Sequence, residues 1–190
     1  MRCFVGLPLP KAYQDGLQSV SEAWRPRLRS KTTWTRPGNW HLTLTFLGEL
    51  AEDVVSRVEE ALYRVDHPTF LFQAGGAGFF PPGTQRAPRV VWAGLEKGAE
   101  ETRTLAGMVQ RAVSEVGFAT EERPFRPHLT LARVREARKG DDWTALLRDL
   151  EERRWPEMWM RSFVLWQSVL SPSGPTYTVI REFALGRDES

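Results

Sequence analysis

Two four-residue strings carry the chemistry that this chain offers most plainly. His-Leu-Thr-Leu occurs at residues 41–44 and again at 128–131, and two of the chain's three histidines lie in it. In an extended strand, residues i and i+2 face the same way. His41 and Thr43 therefore share one face, with Leu42 and Leu44 behind them. His128 and Thr130 repeat the arrangement over Leu129 and Leu131. Each string presents an imidazole and a hydroxyl about 7 Å apart along the strand. One such string would describe an ordinary strand with a polar outer face. Two, at identical offsets from a rare residue, fit a duplicated unit. An approximate two-fold axis between the copies would set the two His/Thr faces opposite each other across a cleft.

Two histidines across a cleft suit the cleavage of a phosphodiester. A neutral imidazole takes a proton from the nucleophile, and an imidazolium gives one to the leaving oxygen. An unperturbed pKa near ~6.5 lets both forms exist near neutrality. The threonine hydroxyls can donate to the non-bridging phosphate oxygens. The scheme calls for no metal, and three scattered histidines without His-x-x-x-His spacing, beside a single cysteine, do not describe a metal site.

The strings need strands to hold them. Residues 41–47 alternate with period two up to Gly48, and 128–134 alternate after Pro124-Phe125-Arg126-Pro127. Further strands are expected at 2–7, 70–73 with a glycine-rich continuation through Gly78, 89–93, 158–170 and 176–185. Helical spacing marks 10–24, 51–65, 99–116 and 141–153, the last with Asp141 or Asp142 at its N-terminus. The mixture reads as α+β, with no linker dividing it.

Arg126, two residues before His128, is a candidate phosphate contact on the same face. Trp34 and Trp40 precede the first string and could stack on a base, although packing is the expectation for most of the eight tryptophans. His67, before Pro68 in a connecting loop, reads as a surface residue. The acid pairs Glu59-Glu60, Glu121-Glu122 and Asp141-Asp142 are sequence neighbours and do not converge as a carboxylate dyad. Gly75 to Gly78 lacks the Lys-Ser/Thr of a phosphate-binding loop.

Charge is segregated. Residues 24–36 and 123–139 each net +5, so the chain's overall +2 leaves −8 for the remainder. If the two segments meet in space, they form a field for polyanions. At 190 residues, 41% hydrophobic and 26% charged, the chain is a globular protein with enough apolar material for a core. No apolar run approaches a membrane span, the N-terminus lacks the apolar stretch of a signal peptide, and Cys3 has no partner for a disulfide. These features point to the cytoplasm, with no membrane association.

The doubled His-x-Thr-x resembles the signature of the two-histidine (2H) phosphoesterase superfamily. More closely, the chain is similar to the bacterial RNA 2′,3′-cyclic phosphodiesterases, the LigT-like "2′-5′ RNA ligases". The likeness runs through Met1–Pro10, His41–Glu49, Arg123–Arg133 and Gly174–Val179, in order and over nearly the whole chain. It implies one unit, 1–190, made of two intertwined lobes, with antiparallel sheets lining a central cleft and helices outside. It implies hydrolysis of RNA 2′,3′-cyclic phosphate ends to 2′-phosphomonoesters, with His41 as proton donor and His128 as acceptor. The family name also implies a reversible 2′-5′ joining of RNA ends such as tRNA halves; the expected protein is a monomer that needs no cofactor. An RNA-binding module with a vestigial site is the alternative of another class. Intact His41, Thr43, His128 and Thr130 favour the enzyme.

Overall fold

The computed structural model describes residues 1–83, 88–119, 124–172 and 174–186. Glu121, Glu122 and Arg123 lie outside the described residues. In chain order the elements are β1 (Arg2–Pro8), α1 (Lys11–Trp24), β2 (Lys31–Trp34), β3 (His41–Glu49), α2 (Glu52–Tyr63), β4 (Phe70–Phe80) and β5 (Val90–Lys97). There follow α3 (Ala99–Ser114), β6 (Leu129–Glu136), α4 (Trp143–Glu152), β7 (Met158–Met160), β8 (Ser162–Ser171) and β9 (Gly174–Ala184).

The strands form two antiparallel sheets, in the orders β3-β1-β8-β9 and β2-β6-β5-β4-β7. Apart from β2, they match strand for strand: β3 with β6, β1 with β5, β8 with β4 and β9 with β7. This is the duplicated α+β architecture that the repeated string implied. The helices cross over. α3, which the chain lays down between two strands of the second sheet, packs on β3 of the first. α1, which follows β1, packs with α4 on the back of the second sheet. Tyr13 of α1 secures that crossing: its hydroxyl donates to Pro156 O at 2.7 Å and accepts from the Ala74 amide of β4 at 3.0 Å.

The four leucines of the strings do what their alternation requires. Leu42, Leu44, Leu129 and Leu131 are at most 2% exposed. Each contributes about 1.5–3 kcal/mol of burial and holds its strand against the helices, so that the opposite face is turned to the cleft.

Four expectations need correction. Lys31–Trp34 is a strand where the sequence pattern predicts none. It is too short for a periodic signal, and it exists because it pairs with the edge of β6. The run 158–170 is two strands, not one. The chain breaks at Arg161, leaving Met160 buried in the second sheet and Phe163 in the first. The first string's strand does not stop at Gly48 but pairs with β1 as far as Glu49. His67 is buried, not on the surface: it is 6% exposed, packs edge-on against Phe70, and hydrogen-bonds through Nδ1 to Pro68 O.

The glycine-rich run is the closely packed end of β4. A Cβ at Gly78 would lie 2.3 Å from the Trp92 ring, so the missing side chain is what lets that indole lie flat across the sheet.

Candidate active site

His41, the first residue of β3, and His128, the residue just before β6, are held in the same way. His41 Nδ1 is 2.7 Å from Asn39 O, and His128 Nδ1 is 2.7 Å from Arg126 O. A carbonyl only accepts, so Nδ1 carries the proton in both rings. In each neutral imidazole Nε2 is then the basic nitrogen. Two backbone carbonyls thus fix the same tautomer twice.

The chain departs from a regular strand at the same place in both copies. Val5 pairs with Thr45 and Gly6 with Thr43, leaving Leu44 as an extra residue in β3. Val91 pairs with Ala132 and Trp92 with Thr130, leaving Leu131 extra in β6. Both bulges fall three residues after the histidine. A one-residue bulge reverses the parity of everything beyond it. The cleft face therefore reads His41, Thr43, Phe46 on one side and His128, Thr130, Arg133 on the other. Phe46 and Arg133 both line the cleft at its centre, beside the two threonines.

Arg133 was not among the expected site residues, because strict alternation turns it away. A signal existed in its equal offset with Phe46, but only the pairing register reveals the bulge. Its charge acts on both histidines and on Tyr177.

The surroundings differ between the halves. Phe4, Trp166 and Tyr177 enclose His41, with ring centroids at 4.6, 5.6 and 5.2 Å. Its Nε2 meets Thr43 Oγ1 at 2.9 Å. Burial pushes its pKa down to about 4, with the His128 and Arg133 charges adding to the effect against the Asn39 hydrogen bond. His128 lies against Phe80 and Trp92 at 5.0 and 6.4 Å. It too is lowered by burial and by Arg133, and Thr130 Oγ1 makes no hydrogen bond with a described residue. Each histidine thus has a tryptophan beside it that packs over a glycine, Trp166 over Gly6 and Trp92 over Gly78.

Arg126 precedes β6, so it does not share the strand's alternation. Its carbonyl holds His128 and its exposed side chain lines the cleft beside that ring. Trp34 and Trp40 touch the cleft but are 8% and 3% exposed, so they pack and do not offer a stacking face. The acid pairs are structural where described. Asp141 accepts from the Arg29 and Ser30 amides at 2.7 and 2.8 Å, and Asp142 caps α4 through the Ala145 amide. The two basic segments do meet, since β2 lies beside β6 with Thr33 opposite Arg133. Among the described residues, no three His, Cys, Asp or Glu side chains converge as a metal site would require, and no helix is long and apolar enough to cross a membrane.

The arrangement has relatives. The family model described as LigT like Phosphoesterase matches residues 7–92 and 94–177. A protein of Archaeoglobus fulgidus named RNA 2′,3′-cyclic phosphodiesterase is 36% identical over 189 residues, covering 96% of this chain and 99% of that one. One of Thermotoga maritima with the same name is 32% identical, covering 96% and 94%. Among solved structures, TT0787 of Thermus thermophilus superposes with a TM-score of 0.77 at 29% identity, covering 97% of both chains. The Escherichia coli LigT apo structure shares the fold, with a TM-score of 0.73 at 23% identity and 98% of both chains covered. A family match over most of the length, with relatives above 30% identity spanning it, establishes that this chain belongs to the LigT-like phosphoesterases.

Proposed function

We propose that this protein is an RNA 2′,3′-cyclic phosphodiesterase that opens the cyclic phosphate to a 2′-phosphomonoester by two-histidine acid–base catalysis. One observation carries the reading. Two imidazoles of the same enforced tautomer face one cleft, close enough for the charge of one to lower the other, with a threonine beside each. The relatives' shared name supplies the substrate class. The centre takes one His/Thr pair from each sheet, so residues 1–190 act as one unit.

Water attacks phosphorus in line with the departing O3′. His128 Nε2 takes the water proton, and His41 Nε2–H gives its proton to O3′ as the P–O3′ bond breaks. Thr43, Thr130 and Arg133 hold the non-bridging oxygens, and Arg126 stands at the edge of the site. Burial leaves little His41 protonated in the free protein at neutral pH. A phosphate monoanion between the rings supplies the opposite charge that raises it. An RNA 5′-hydroxyl in place of water would make a 2′-5′ bond through the same transition state, the joining activity expected of this family.

The test is turnover of a nucleoside 2′,3′-cyclic phosphate in the presence of EDTA, with the product identified as the 2′- or 3′-phosphate. Full activity and a 2′-phosphate are expected. Loss in chelator with rescue by a divalent ion would sink the two-histidine mechanism. No turnover on any cyclic phosphate would leave an RNA-binding module with a vestigial site.

A further inference from the structure

A short span of chain ties the two strings together. Trp34 ends β2 in the second sheet, Trp40 leads into β3 in the first, and both are buried. The five residues between them are gripped at each end. Thr35 holds the second string: its amide donates to Leu131 O at 3.0 Å and its hydroxyl to Thr130 O at 2.9 Å. Leu131 is the residue at which β6 bulges. Asn39 holds the first string through the carbonyl that accepts from His41 Nδ1.

The turn between these grips is stiff by sequence. In Arg36-Pro37-Gly38-Asn39 the Asn39 amide donates to Arg36 O at 3.0 Å, and Gly38 takes a φ of +83°. That is the pattern of a type II turn, with proline and glycine in its two central places. Two other elements fasten it. Gln14 of α1 accepts from the Gly38 amide at 3.1 Å and donates to Trp40 O at 2.8 Å. The Asn39 side chain donates from Nδ2 to Pro175 O of β9 at 2.8 Å, two residues before Tyr177, whose ring stands edge-on to His41. The carbonyl that holds His128 is fixed by other means, on Arg126 in a segment stiffened by Pro124 and Pro127.

Resting on the function proposed above, we infer that Thr35 and Asn39 are positioning residues that set the distance and angle at which His41 delivers its proton to the leaving O3′. They act through His41. The groups that hold the phosphate, Thr43, Thr130 and Arg133, take their places from the pairing of β3 with β1 and of β6 with β5. Loosening the span therefore leaves binding in place and misaims the acid. A misplacement of about 1 Å in such a geometry costs up to about 10²-fold in rate.

The experiment measures kcat and KM for adenosine 2′,3′-cyclic phosphate and for its analogue with sulfur in place of O3′. On the first, the P–O3′ bond breaks and O3′ takes the His41 proton. On the second, the P–S bond breaks and the sulfur keeps the electron pair. A thiol has a pKa near ~8.5, so the sulfur departs as thiolate without a donated proton. Three variants are compared with the wild type. Asn39→Ala keeps the carbonyl and removes its tether. Thr35→Val keeps the shape and removes the hydroxyl grip, which Thr35→Ser restores.

On the oxygen substrate, Asn39→Ala and Thr35→Val should each lower kcat about 10- to 100-fold, with KM within about two-fold of the wild type. On the sulfur substrate both deficits should shrink to less than about three-fold. Thr35→Ser should match the wild type on both. The ratio of the two rates within one variant does not depend on how much of it is folded, so lost stability alone cannot produce this selectivity. Equal losses on the two substrates, a change confined to KM, or no loss at all would each overturn the inference. His41→Ala then tells two failures apart: recovery on sulfur leaves the proposed roles standing and condemns only the span, whereas no recovery removes His41 as the donor. A wild type that turns over neither substrate removes the activity, and the inference with it.

Discussion

Strands β3 and β6 start from the same string, hold their histidines by the same carbonyl contact, and bulge at the same leucine. Five residues past the histidine they part: Phe46 on one side, Arg133 on the other. The enclosures part as well. His41 is walled by three aromatic rings and bonded to Thr43, whereas His128 is walled by two, and Thr130 keeps its hydroxyl for a ligand. A duplicated centre would treat both ends of an in-line displacement alike. On the mechanism proposed above, these differences give it a direction: the repeat supplies the two proton carriers, and the deviations from the repeat set them apart.

The largest effect should come from breaking the pair itself. His41→Ala and His128→Ala should each lower kcat by roughly 10²–10⁴. A substrate with a good leaving group at the 3′ position should restore much of the rate to the first and not to the second. The opposite pattern of rescue would exchange the two roles.

Next come the threonines. Thr43→Ala and Thr130→Ala should each cost about 10²–10³ in kcat without changing the shape of the pH profile. A strong movement of either limb would mean that the hydroxyl governs proton transfer and not only the phosphate oxygens.

Arg133→Gln sharpens the asymmetry. Its charge depresses both histidines, so removing it should move both limbs of the kcat/KM profile to higher pH. Phosphate affinity should fall by about ten-fold. Phe46→Leu, the same offset on the other strand, should leave the limbs in place. In the wild type the limbs themselves should lie low, one near 4 and the other below the ordinary histidine value. An optimum above pH 7 in kcat/KM would contradict the burial of these rings.

The smallest effect is on stability. The folded protein prefers neutral His41, so the unfolded chain binds the extra proton first. The stabilisation is complete above about pH 6.5 and is lost as pH falls to about 4, amounting to about 3 kcal/mol. Unfolding of His41→Gln followed by denaturant from pH 7 to 4 should show a correspondingly flatter decline. An unchanged slope would place His41 in a wetter environment.

Much of this protein is legible before folding. The α+β mixture follows from local periodicity, and the buried leucines and cleft-facing His/Thr pairs follow from alternation over three or four residues. The duplication follows from a repeat of rare residues, and the helices from spacing that needs no partner. What the tertiary structure alone decided depends on pairing. β2 is a strand only because β6 offers an edge. The 158–170 run divides because its two ends satisfy different sheets. Arg133 reaches the centre because a bulge, defined by the neighbouring strand's register, reverses its parity. The burial that depresses His41 comes from Phe4, Trp166 and Tyr177, which are far apart in the chain and meet only where β1, β8 and β9 lie side by side. Short-range pattern specifies which groups are present and which way they face; the approach of distant segments sets their proton affinities and the direction in which the site works.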